Sequence, residues 1–146
     1  MSWLDAAMAR CVAKDGGSAL TCVANDETLT QYGTEGDRGK AVFYSRRKEG
    51  QPGLSILRGT KSAEEAAAAV RGRSGIMLGR DRVRYTTVGK LRKAGFEVIH
   101  TPTRVNWEHC SVVLLGPDGD LDEDTEWSDE VSSRFNRCFD GGRGER

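Results

Sequence analysis

Long apolar runs are missing from this sequence. No stretch approaches the ~20 consecutive apolar residues that cross a bilayer, so no membrane-spanning helix and no membrane partner are expected. The first residues, M-S-W-L-D-A-A-M-A-R-C, lack a basic start followed by an apolar block. No secretory signal is therefore expected, and the cytoplasm is the expected location. Net charge is missing as well, because 22 Lys and Arg balance 22 Asp and Glu; the total selects no partner. No G-x-G-x-x-G, P-loop or G-x-S-x-G element occurs, which leaves the common nucleotide-binding and hydrolase folds without support. Cysteine appears four times, at Cys11, Cys22, Cys110 and Cys138, with no C-x-x-C pair. That spacing suggests neither a zinc knuckle nor a redox motif, and no cofactor or metal is expected. In a reducing compartment the four cysteines remain thiols, and most of them act as small apolar fillers.

What is present describes one globular domain. The chain has 146 residues, 37% hydrophobic and 30% charged, enough to bury roughly two-thirds of its unfolded surface. Residues 1–140 are expected to form a single α+β domain, and G-G-R-G-E-R at 141–146 a flexible tail. The expected sheet is mixed or antiparallel, with about 5–7 short strands and 3–4 helices. Its centre is Phe96–His100 and Cys110–Leu115, whose Val, Ile and Leu content is the densest in the chain. Ser2–Ala13 reads as a helix and Ala19–Ala24 as a strand. Asn25–Lys40 is polar and weakly patterned, a loop with at most one helical turn. Ala41–Arg46 and Gly53–Leu57 read as a hairpin. Ser62-Ala-Glu-Glu is a capping box for an alanine-rich helix closed by Gly72, with Ala66, Ala67 and Val70, and Ala69 beside them, toward the sheet. Ser74–Leu78 and Val83–Thr86 are short strand candidates. Thr87 caps a helix at Val88–Ala94 that Gly95 stops. Pro117-Asp-Gly-Asp is a turn, and a last helix spans about Thr125 to Phe139.

Charge is unevenly spread. Asp37 to Lys93 carries 15 Lys or Arg and 5 Asp or Glu, whereas Asp118 to Glu130 holds eight acidic residues and no basic one. The two regions can compensate each other in the fold, meet different partners, or stand as solvated faces. Arg80, Arg82 and Arg84 at period two project from one face of a strand, and a row of guanidinium groups suits phosphate. No aromatic interleaving, helix-turn-helix or ribonucleoprotein signature accompanies them. Asp118, Asp120, Asp122, Asp124 and Glu126 fall on alternate positions like those of an EF-hand loop. Glu123 stands where that loop needs glycine, however, and Asp129 where it needs glutamate. Helix-dipole stabilisation explains the acidic run more simply.

His100 and His109 are the only histidines, and imidazole is the side chain suited to proton transfer near neutrality. They flank a polar connection, so His100, Asn106, Glu108 and His109 form a candidate acid/base or ligand cluster. The same residues also suit capping strands and shaping a turn. Cys110 follows His109 directly, and because consecutive strand residues face opposite ways, His100 is its better partner. Leu57-Arg58-Gly59-Thr60 ends a strand with an arginine and a hydroxyl, an arrangement like that with which ADP-ribosyltransferase folds hold a dinucleotide. The catalytic glutamate motif of that superfamily is not identifiable here.

The segments G-L-S-I-L-R, K-L-R-K-A-G-F-E-V-I-H-T-P and N-W-E-H-C-S-V-V-L, within Gly53 to Leu115, resemble small uncharacterised bacterial proteins. In these an A-G-(F/L)-x-V strand leads to a His- or Asp-x-Pro turn and then to an N-P-x-H-x-x-(V/I) strand. Trp107 stands where that pattern has proline. The resemblance marks His100, Pro102, Asn106 and His109 and implies a defence or toxin-related setting. The favoured expectation is a small cytoplasmic bacterial binding domain that engages a nucleic acid or an acidic protein surface. Arg58, Arg80, Arg82, Arg84 and Asn106 are its expected binding residues. The alternative is a small enzyme or toxin-like effector with His100 and His109 as catalytic residues. Oligomeric state is left open.

Overall fold

The computed structural model describes residues 23–48, 50–51, 53–122 and 124–140. The helix expected at Ser2–Ala13, most of the strand expected at Ala19–Ala24 and the tail lie outside the described residues. Within them, a seven-stranded antiparallel open sheet and three helices form a single small α+β domain.

Three strands pair with β1 (Thr28–Glu35), which lies in the segment that reads as a polar loop. Its composition hides it, yet Thr30 and Gln31 are buried. Their polar atoms are paired: Thr30 Oγ1 donates to the Gly59 carbonyl at 2.7 Å and Gln31 Nε2 donates to that of Tyr44. Beside them the Tyr32 hydroxyl donates to Asp81 Oδ1 at 2.6 Å. Buried polar groups with partners carry little penalty, so a strand without an apolar run can lie inside the sheet. Along one edge β4 (Asp81–Thr87) pairs its full length, from Thr28↔Thr87 to Thr34↔Asp81. The other edge is shared. β3 (Leu54–Arg58) takes Leu29 and Thr30, and β2 (Ala41–Phe43) takes Gly33 to Glu35. The expected hairpin between Ala41–Arg46 and Gly53–Leu57 does not form, because both strands find β1 instead of each other.

β5 (Phe96–His100) and β6 (His109–Leu115) pair as the sequence predicts, from Phe96↔Leu114 to His100↔Cys110. β3 lies on the far edge of β6, from Leu54↔Val112 to Leu57↔His109. Beyond it β7 (Leu121–Asp122) pairs with Leu114 and Leu115, after the expected turn, in which Gly119 takes φ +83°.

Alternation then divides the sheet into two unlike faces. Leu29, Leu54, Ile56, Phe96, Val98, Cys110 and Val112 point one way, into the apolar core. Two helices cover that side: α2 (Val88–Lys93), which buries Val88 and Leu91, and α3 (Asp129–Asn136), which buries Phe135. The Phe96 ring lies 5.0 Å from Trp127 and 5.8 Å from Phe135 between centroids. α3 starts later than expected. Arg47 donates to the carbonyls of Asp124 and Thr125, both at 3.0 Å, which occupies that segment outside any helix while Trp127 enters the core; Ser128 then caps the helix.

Thr30, Ser55, Leu57, His109 and Ser111 point the other way. Here α1 (Ala63–Arg71), closed by the expected reciprocal bonds of Ser62 and Glu65, packs on β1 and β4. Ala66 and Ala67 are its buried residues, and Val70, expected to be among them, is 54% exposed. The strand expected at Ser74–Leu78 is a 3-10 turn at Arg73–Gly75 followed by a loop. Its Met77 amide is taken up by the Asp81 carboxylate at 2.9 Å. No helix among the described residues is long and apolar enough to cross a membrane.

Phe96 joins both layers of the core, so Phe96→Ala is expected to lower the free energy of unfolding by about 3–5 kcal/mol. Urea denaturation measures this. A loss below about 1 kcal/mol would contradict the aromatic cluster as the centre of packing.

Candidate active site

His109 opens β6 on the face opposite the core and borders a cavity of about 670 Å³ over β3 and β6. The connection after β5 determines what its ring can do. The Thr101 amide donates to the His109 carbonyl at 3.0 Å, one more rung of the β5–β6 ladder, and this sets Thr101 against the imidazole. His109 Nδ1 lies 2.9 Å from the Thr101 carbonyl oxygen. A carbonyl only accepts, so Nδ1 carries the proton. In the neutral ring Nε2 is then a bare lone pair, and the Ser55 hydroxyl donates to it at 3.0 Å. Burial holds the imidazole below its usual value of 6.5. The bond to the Thr101 backbone opposes that shift and the charge of His100 adds to it. His109 is therefore neutral at pH 7, with a lone pair directed at a hydroxyl.

Thr101 Oγ1 extends the chain of contacts, 2.9 Å from His109 Nδ1 and 2.8 Å from Ser111 Oγ. Ser55 and Ser111 are cross-strand partners, so their side chains share one face. Asn106 shapes the connection. Its amide donates to Thr103 Oγ1 at 2.9 Å, and its Oδ1 accepts from the Glu108 amide at 3.2 Å. Glu108 in turn pairs with Lys61 at 2.5 Å, which ties the connection to the start of α1. Asn106 and His109 both line the cavity.

The two histidines are adjacent but not convergent. His100 pairs with Cys110 in the register and lies on the core face, where Nε2 donates to the Trp107 carbonyl at 2.8 Å. Cys110 is fully buried in the core, and burial pushes its thiol up to about 12, which keeps it protonated and unreactive.

The arginines face internal acceptors. Arg84 is buried between rings, its Cζ 4.7 Å from the Phe43 centroid and 4.0 Å from that of Phe139. It donates to Gln31 Oε1 and Asn136 Oδ1. Arg82 pairs with Glu35 at 2.5 Å, Arg80 donates to the Glu35 carbonyl, and Arg58 forms a two-point pair with Glu27 at 2.6 and 2.9 Å. In the acidic run, Asp122 Oδ1 accepts from the amides of Asp124 and Thr125, which lowers its carboxyl against the effect of burial. No cluster of metal-ligating side chains occurs among the described residues.

Sequence reasoning reached Thr101 only as the start of the polar connection Thr101–His109, its expected functional surface, and passed over Ser55 and Ser111. The available signal was a serine inside each of two apolar strands, L-S-I-L and C-S-V-V-L-L, polar at positions where a fully buried strand would be apolar. No protein-family model, curated protein or solved structure matches the chain.

A folded imidazole held below 6.5 means that the unfolded chain binds the proton more readily. The stabilisation is full above 6.5 and is lost as the pH falls from there through the native value. A proton NMR titration, with only two histidines to resolve, is expected to give His109 a midpoint below 6.5. A midpoint above it would contradict the neutral, half-buried ring.

Proposed function

We propose that the protein is a small enzyme in which His109 serves as general base for a hydroxyl nucleophile acting on a ligand in the cleft over β3 and β6. The observation that carries this reading is the Nε2 lone pair: its tautomer is fixed from behind by a backbone carbonyl, and it points at the Ser55 hydroxyl on a cavity wall. A base needs reach and the right protonation state at working pH, and burial supplies the second. Thr101 is a positioning residue, since it acts through the ring. The resemblance of Gly53 to Leu115 to small bacterial proteins supports a cytoplasmic, toxin-like or defence-related effector as its setting.

An anionic partner, nucleic acid or acidic protein, ranks second. Arg58, Arg80, Arg82 and Arg84 already have internal acceptors, and a phosphate would have to displace them. Asn106, expected among the binding residues, fits the cleft reading better because it lines the cavity.

Hydrolysis of p-nitrophenyl butyrate, an uncharged ester, tests the proposal. His109→Gln is expected to lower kcat/KM by about 100- to 10,000-fold. The wild-type rate should rise with pH through a midpoint below 6.5 and be level by pH 8, because only the neutral imidazole accepts a proton. Equal rates for wild type and variant, or a loss that follows His100→Gln instead, would overturn it.

A further inference from the structure

Resting on the reading of His109 as a general base, we propose that Ser55 is the nucleophile it activates and that the cleft hydrolyses an uncharged ester or amide through an acyl-serine. Ser55 occupies an unusual place: β3 buries Leu54, Ile56 and Leu57 while Ser55 between them is exposed. Its backbone is paired with Ser111 of β6, and two residues on, at Leu57 and Arg58, β3 is also tied to β1, so the hydroxyl rises from anchored sheet, which favours precise positioning. Serine, imidazole and an orienting acceptor in line, here Ser55, His109 and the Thr101 carbonyl, form the arrangement that activates a hydroxyl for attack on carbon.

Ser111 is the donor for the charge that develops. The Nδ1 proton of His109 is shared between the Thr101 carbonyl and Thr101 Oγ1, and in the Thr101–Ser111 hydroxyl pair either oxygen can donate; in the proposed arrangement Thr101 donates to Ser111 Oγ. The Ser111 proton is then left for the cavity, which Ser111 lines beside Ser55. A second donor is the Asn106 carboxamide nitrogen, since Oδ1 is the atom engaged by the Glu108 amide. Donors at the developing oxyanion are what acyl transfer requires.

The walls define the substrate class. No Asp, Glu, Lys or Arg is among the cavity's described lining residues; tyrosines, aliphatic side chains, hydroxyls and amides form it. A charged ligand would lose its hydration there without a compensating ion. An uncharged molecule with an apolar body and one polar acyl group fits.

In the first half-reaction the Ser55 Oγ–carbon bond forms as the hydroxyl proton passes to His109 Nε2. The carbonyl oxygen takes the electron pair. The bond to the leaving alcohol or amine then breaks as that group receives the proton from Nε2. In the second, water attacks the acyl carbon and gives its proton to Nε2, and the ester bond to Ser55 breaks with return of the proton to Oγ. The sum is ester or amide plus water to acid plus alcohol or amine.

An uncharged alkyl fluorophosphonate tests this with the full chain, by intact mass and peptide mapping. Attack of Ser55 forms an Oγ–P bond and expels fluoride, so the expected result is one phosphonyl adduct, on Ser55. Its formation should be slowed about 100-fold in His109→Gln. Labelling of the wild type decides the matter even if Ser55→Ala fails to fold. An unmodified Ser55, or an adduct confined to other residues, overturns the proposal. If ester hydrolysis still depends on His109 in that event, the base acts on water and only the serine assignment falls. Loss of His109 dependence removes both.

Discussion

The hydrogen bond from His109 Nδ1 to the Thr101 carbonyl, 2.9 Å long, governs the open face of the sheet. It exists because the β5–β6 register runs one rung past His100↔Cys110, so that Thr101 meets the first residue of the returning strand. With the proton fixed on Nδ1, the other nitrogen has only its lone pair to offer, and Ser55 is the group it meets. Removing that register would leave the same residues in the chain but no chemistry to argue from. Asn106 and the Lys61–Glu108 pair matter to the site chiefly because they hold the connection in which this register is set.

Electrostatics in this molecule close the fold more than they decorate its surface. Arg47 donates to carbonyls in the acidic segment, Arg46 pairs with Asp129, and Lys90 reaches Asp140 at 2.6 Å. The basic middle of the chain and its acidic end thus compensate each other, one of the arrangements the sequence leaves open. Arg84 is the extreme case. A guanidinium is the cation best suited to lie against aromatic faces while donating in its own plane, and here it joins β4 to Phe43 and Phe139. Exposed pairs such as Lys90–Asp140 contribute little to stability; the more buried Arg92–Glu97 pair, 2.7 Å apart, links α2 to β5.

Local chemistry was legible in the sequence where it acts alone. The Ser62–Glu65 capping box, the Thr87 cap and the β5–β6 pair follow from short-range signals, and the structure contains each of them. β1 was hidden for a physical reason: its buried Thr30 and Gln31, with Tyr32 beside them, bond to Gly59, Tyr44 and Asp81, partners 13 to 49 positions away that no local window contains. The hairpin expected between β2 and β3 failed on the same ground, since an adjacent strand lost to the hidden one. At the site, His109 was identifiable by residue type alone. The separation of His100 from it follows from the parity of the register, which the sequence does not fix. Ser55 carries no motif, and only its place across from His109 and Ser111 distinguishes it from any other strand serine.

The tautomer of His109 is the claim on which the chemistry turns, and long-range proton–nitrogen correlation NMR of the labelled protein at pH 7.5 reads it directly. The expected result is a neutral ring protonated on Nδ1, with an unprotonated Nε2 whose shift moves when Ser55 is replaced by Ala. A ring protonated on Nε2, or one charged at that pH, would contradict it, because neither leaves a lone pair to receive the serine proton.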